Sequence, residues 1–105
     1  MEASSSTKQN AEAYEMLADI YKNWKQYDLA VTNYRISLQN AETNEAKLKL
    51  ADAYRLNKNY QESLETYNAI SKKELTNYQL VTLYEGLGDT NTNIKKYDTA
   101  ISNYK

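Results

Sequence analysis

Tyr14-Glu15-Met16-Leu17-Ala18-Asp19 returns late in the chain as Tyr84-Glu85-Gly86-Leu87-Gly88-Asp89. The same long offset carries Asn23 onto Asn93, Lys25 onto Lys95, Tyr27 onto Tyr97 and Asp28 onto Asp98. It continues without a gap through Ala30 and Ala100, Asn33 and Asn103, and Tyr34 and Tyr104. A middle copy follows the first at a shorter offset. There Leu50-Ala51-Asp52 repeats Leu17-Ala18-Asp19, and Tyr54, Lys58, Tyr60 and Tyr67 repeat Tyr21, Lys25, Tyr27 and Tyr34. Taken together, the two offsets place about four extra residues between Ser71 and Asn77. Three units result, over about 11–43, 44–80 and 81–105, behind a leader at 1–10 that is expected to be flexible.

Each unit holds two apolar stripes of helical period. Tyr14, Leu17, Ala18 and Tyr21 fall at i, i+3, i+4 and i+7, and Tyr27, Ala30, Val31, Tyr34 and Leu38 form the second stripe. The break between them, Asn23 to Gln26, is short enough to force an antiparallel pair. Strict alternation is absent and Ala, Leu, Glu, Lys and Gln dominate, so strands are excluded and the fold class is all-α. Small residues at Ala18, Ala51 and Gly88 are expected to face Ala30, Ser63 and Ala100, letting paired helices approach closely while Tyr rings fill the space between units.

The chain has 105 residues, one small domain, with 13 basic against 14 acidic side chains. No basic stripe for nucleic acid is present. No apolar run approaches the roughly 20 residues that cross a bilayer. Cys and His are both absent. That removes disulfides, the commonest zinc ligands, Ser-His and Cys-His nucleophiles and the usual general base. No catalytic residue, metal site or cofactor is expected, and the chain is read as a non-enzyme. The leader has no signal-peptide pattern, which leans slightly toward a cytoplasmic setting.

With these residues in register, the chain resembles the tetratricopeptide repeat (TPR) family. Copy one supplies the signature as Tyr14, Leu17, Ala18, Tyr21, Tyr27, Ala30 and Tyr34. Copy two supplies Leu50, Ala51, Tyr54, Tyr60 and Tyr67 but has Lys47 and Ser63 in two slots; copy three has Tyr84, Leu87, Gly88, Tyr97, Ala100 and Tyr104. The resemblance implies antiparallel helix pairs stacked as a short right-handed solenoid, with first helices lining a concave groove. It therefore implies a protein–protein interaction module, a scaffold for complex assembly.

In that arrangement the groove-facing slots are Glu12, Glu15, Asp19, Lys22 and Asn23 in copy one. They are Glu45, Leu48, Asp52, Arg55 and Leu56 in copy two, and Thr82, Glu85, Asp89 and Thr92 in copy three. Asp19, Asp52 and Asp89 would form a ladder, one per unit. The family's clamp for acidic chaperone tails uses Lys and Asn where this chain has Glu15 and Asp19, so that ligand is not expected. Two readings stay open: the acids solvate the helices and offset their macrodipoles, or they receive a basic peptide or helix whose apolar anchor meets Leu48 and Leu56. Trp24, in the interhelix turn, is expected to pack or cap.

The third unit departs most. Asn91 replaces a Tyr inside Asp89-Thr90-Asn91-Thr92-Asn93, residues that compete with helical backbone bonding, so its first helix is expected to end early. It also lacks a polar capping helix. An alternative role is structural, with the uncapped third unit serving as a self-association interface.

Overall fold

The computed structural model describes residues 2–103, with side chains over 7–96. It is an all-α helical-repeat solenoid. Five helices run α1 (Glu2–Asn23), α2 (Tyr27–Asn40), α3 (Asn44–Leu56), α4 (Tyr60–Ala69) and α5 (Asn77–Asn103), with one 3-10 turn at Lys72–Glu74 between α4 and α5. α1 pairs with α2, α3 with α4, and α2 packs on α3.

Both hairpins turn in the same way. Lys25 and Lys58 adopt left-handed backbone at φ 62° and 65°. Gln26 N–H then reaches Tyr21 O at 2.9 Å and Lys25 N–H reaches Lys22 O at 3.0 Å. Asn59 to Tyr54 O (2.8 Å) and Lys58 to Arg55 O (2.9 Å) repeat the pattern. These Schellman bonds satisfy the last carbonyls of α1 and α3, and they end the first helices where the sequence breaks.

Two cores sit between the layers. Ala18, Ala30, Val31, Tyr34, Leu50 and Ala53 form the first; Leu48, Ala51, Tyr67, Ile70 and Leu83 form the second. Ala18, Ala30, Ala51 and Ser63 have no exposure, so the small-residue contacts expected in the first two pairs are made. Ser63 Oγ spans its pair by donating to Ala51 O at 2.8 Å, as Ser37 Oγ does to Ala11 O at 2.7 Å. Of the described Tyr rings, only Tyr34 and Tyr67 are buried. Tyr14, Tyr78 and Tyr84 are exposed.

The third unit differs from expectation in register and in form. α3 and α5 begin on matching caps, set apart by the same short offset that relates copies one and two. Thr43 Oγ1 accepts from Ala46 N–H at 3.1 Å, and Thr76 Oγ1 accepts from Gln79 N–H at 3.1 Å. Gln79 Oε1 accepts from Thr76 N–H in return, closing a capping box. Leu50 and Ala53 on α3 face Tyr34; Leu83 and Gly86, their counterparts at that offset, face Tyr67. No residues are inserted near Ser71 to Asn77. α4 instead stops short at Ala69 and the 3-10 turn takes up the length.

The small residue used by α5 against α4 is therefore Gly86, whereas Gly88 is exposed with nothing within 4 Å of its Cβ position. Nor does the first helix of this unit end early or turn near Asn93: α5 is one helix to Asn103, so a pair over 81–105 is not what the backbone adopts. Thr90 and Thr92 donate to Gly86 O (2.8 Å) and Gly88 O (2.9 Å), one turn back. Their hydroxyls thus bond within the helical frame rather than against it. The expected second stripe, Tyr97, Ala100 and Tyr104, lies outside the described side chains.

At the other end, the expected flexible leader is helical from Glu2. Residues 2–10 contain neither Pro nor Gly, so a helix nucleated in the packed part of α1 extends through them at little cost per residue. No helix among the described residues is long and apolar enough to cross a membrane.

Candidate functional site

The groove-facing stripe of α3 runs Glu45, Lys49, Asp52, spaced 4 and 3 so that all three share one side of the helix. α1 contributes Glu15, Asp19 and Lys22 beside it. α5 contributes Thr82, Glu85 and Asp89 across it. Between α3 and α5 lies a cleft of about 400 Å³, whose floor is Tyr67, Leu48 and the backbone of Gly86 and whose rim includes Tyr78 and Gln79. The cleft brings together Lys22, Glu45, Leu48, Asp52, Glu85 and Asp89 from the expected set. Glu12, Glu15, Asp19, Asn23, Arg55 and Leu56 are not among its lining residues, and Glu12 and Asn23 are exposed.

The Asp ladder is matched internally at two of its three rungs. Asp19 accepts from the Tyr34 hydroxyl and from Lys49 Nζ at 3.1 Å, and the same ammonium reaches Glu15 at 2.9 Å. Asp52 accepts from Arg55 Nη2 at 2.8 Å and from Lys22 Nζ at 3.5 Å. Such part-exposed pairs contribute about 0–1 kcal/mol each, so their main effect is to fix side chains and cancel charge. Arg55 Nε is buried and makes no hydrogen bond among the described residues, which leaves Asp52 as the partner holding that guanidinium.

Burial lowers the proton affinity of Lys49 and of Arg55, yet each ends above its usual value. Hydrogen bonds to Glu15 and Asp19 outweigh burial at Lys49, and Asp52 with the charge of Asp89 does so at Arg55. Burial is also the first cause of the raised Tyr34 and Tyr67 hydroxyls. The bond to Asp19 and nearby carboxylates push Tyr34 further, while Tyr67, near Asp52 and Asp89, reaches about 12.

Both tyrosines thus sit above the ordinary 10.0. An acid raised on folding stabilises the fold fully below its unfolded value and loses that contribution as pH rises toward the folded one. Stability is expected to fall from about pH 10 upward. Tyr34→Phe should cost about 1 kcal/mol at neutral pH and flatten the alkaline fall, as read from urea midpoints against pH. An unchanged alkaline slope would contradict the assignment.

Two corrections to the expected site follow from this geometry. Leu48 is 5% exposed, packed on Tyr67 and Leu83, and so is core rather than a free apolar anchor. Lys49 also stands on the same stripe and pairs with both Glu15 and Asp19, one ammonium against two carboxylates, so the acid excess of the upper groove is smaller than the acidic positions alone suggest. Its spacing from Glu45 is legible in the sequence. The cleft itself holds four carboxylates, Glu45, Asp52, Glu85 and Asp89, against the two ammonium groups Lys22 and Lys49, both already in ion pairs. Glu45, Glu85 and Asp89 make no ion pair among the described residues. Trp24 lies outside this site, 68% exposed, with its ring edge-on to Tyr21 at 6.4 Å.

No group of three or more acidic, His or Cys side chains among the described residues is placed to hold a metal. In comparison with known proteins, the family described as "Soluble NSF attachment protein, SNAP" matches residues 1–84. That is a family of helical adaptors that bind proteins, which agrees with the helical-repeat reading but does not single out the TPR family. No curated protein and no solved structure matches the chain.

Proposed function

Since the chain belongs to the soluble NSF attachment protein family, we propose that it is a non-enzymatic adaptor whose TPR-like groove holds a basic segment of a partner protein. The observation that carries this is the charge of the cleft: Glu45, Glu85 and Asp89 surround it unpaired, while both cations that line it are already held by carboxylates. A Lys or Arg side chain entering there meets carboxylates from two helices. Its aliphatic stem can lie on the exposed Tyr78 ring at the rim. The apolar contact thus comes from Tyr78 of α5, in place of Leu48. The family's name designates attachment to NSF, which makes NSF the first partner to test.

Glu45 and Glu85 are exposed and hold no ion-pair partner among the described residues, so reversing them leaves the fold intact. A short Lys/Arg-bearing peptide should bind wild type and lose at least tenfold in affinity to the Glu45→Lys, Glu85→Lys double variant. Affinity should also weaken with added salt. Equal binding by both proteins, read by fluorescence anisotropy, removes the cleft from the function.

A further inference from the structure

The short offset that aligns the units also aligns the sides on which they stack. Ala46, Leu50 and Ala53 of α3 are buried, the last two against Tyr34 of α2. Leu83 and Gly86 of α5 are closed in the same way by Tyr67 of α4. The counterparts on α1 are Ala13, Leu17 and Ile20. All three are exposed, Leu17 at 38% and Ile20 at 43%. Trp24, whose N–H continues the helical turn to Ile20 O at 3.0 Å, stands at 68%. These four lie within about 60° of one another around α1, with Met16 at their border. Leu29 joins them from α2. It precedes Tyr34 by five residues, about 140° around the helix from the side that meets α3, and is also exposed. The first layer thus ends in an apolar face where the later layers carry a helix.

No charged side chain interrupts this face between Gln9 and Trp24; Glu12, Glu15, Asp19 and Lys22 fall outside it. An apolar patch of this kind marks an interaction site, and what covers it must have an open apolar surface of its own. In a second copy of the chain, the helices that would imitate α2 and α4 are not free, because α3 and α5 already occupy their outward sides. The open side of α5, with Val81 and Tyr84, carries the Lys72 ammonium 5.2 Å from the Tyr84 ring centroid. A contact there would strip that charge of water. The same α1 face of the second copy remains.

That face is complementary to itself. When two copies of α1 lie antiparallel about an axis level with the Ala18–Asp19 peptide, Leu17 of each meets Ile20 of the other, and small Ala13 lies opposite large Trp24. Ser37 stands level with Ala11 across the hairpin, so Leu29 stands level with Asp19, beside the same axis. We propose that two copies of this chain associate through the end face of α1 and α2 in this arrangement. The contact is two-fold and closes at two chains. Together the two faces offer on the order of 1,000 Å², the low end for a specific interface, so the pair forms only as concentration rises. It lies on the side of α1 turned away from the groove and is independent of what the groove holds.

Trp24 is the single tryptophan, so its emission reads the contact directly. From low to high micromolar chain, the emission should move to the blue and become shielded from acrylamide. Light scattering over the same range should show the mass rising from one chain to two and no further. Ile20→Lys should weaken the association at least tenfold, with an unchanged urea midpoint of the single chain showing that the fold holds. Ala13→Trp should also weaken it at least tenfold, because it fills the room opposite Trp24. That variant adds apolar surface, so mere stickiness would strengthen instead. Val81→Lys, on the exposed side of α5, should change nothing. A mass fixed at one chain, growth past two chains, strengthening by Ala13→Trp, or an equal effect of Val81→Lys overturns the proposal. So does Trp24 emission that moves with phosphatidylserine–phosphatidylcholine vesicles but not with concentration, which would give the face to lipid.

Discussion

Leu83→Ala is expected to destabilise the chain by about 2–4 kcal/mol, the range for emptying a buried leucine site. Leu83 has no exposure and is the α5 side chain set into the second core beside Tyr67 and Ile70. Its short-offset relative on α3 is Leu50, and Leu17 holds the same slot of α1, but there it is 38% exposed and no described helix covers it. Leu17→Ala should therefore cost less than about 1 kcal/mol. Urea unfolding of the two variants separates these outcomes. Equal losses would mean that Leu83 is not the residue docking α5, and the short-offset register of the third unit would be wrong.

The two glycines of α5 should respond in opposite directions. At Gly86 an added Cβ would stand 2.8 Å from Tyr67 Cε1 and closer still to the ring's Cζ and hydroxyl. Tyr67 is 2% exposed and cannot swing away. Overpacking of this kind costs about 1–3 kcal/mol, against about 1 kcal/mol that Ala returns in a helix interior. Gly86→Ala should thus lose stability. Gly88→Ala meets open space and should gain about 0.5–1 kcal/mol. A gap of about 1–3 kcal/mol between the pair is the expected reading, because the helix gain is common to both. Gly88 as the worse site would restore the long-offset register against α4.

How far the sequence could be read turns on those same residues. Helix class, the first two hairpins and their small-residue contacts were all legible, because Leu17-Ala18 and Leu50-Ala51 each sit in a stripe with one solution. α5 was not, because it carries two registers. Leu83, Gly86 and Thr90 follow the short offset and decide docking on α4; Tyr84, Gly88 and Asn91 follow the long one and stand outside the core. The longer identity was the stronger sequence signal, yet burial went with the shorter period. Thr76 was the visible clue, since a Thr-x-x-Gln capping box repeats the cap at Thr43 at the short offset. In the groove, the acidic positions were found by spacing alone. Lys49 satisfies the same spacing and changes the balance, and Tyr67 and Tyr78 join the cleft only through contacts between helices that no single stripe records.

The most direct test of the account is amide hydrogen exchange of the chain with and without a saturating Lys/Arg-bearing peptide. Added protection should be confined to Asn44–Asp52 and Asn77–Asp89, the two helical stretches that frame the cleft, and should vanish in the Glu45→Lys, Glu85→Lys variant. Protection confined to α2 and α4, with the cleft helices unchanged, would contradict the assignment of the groove as the binding surface.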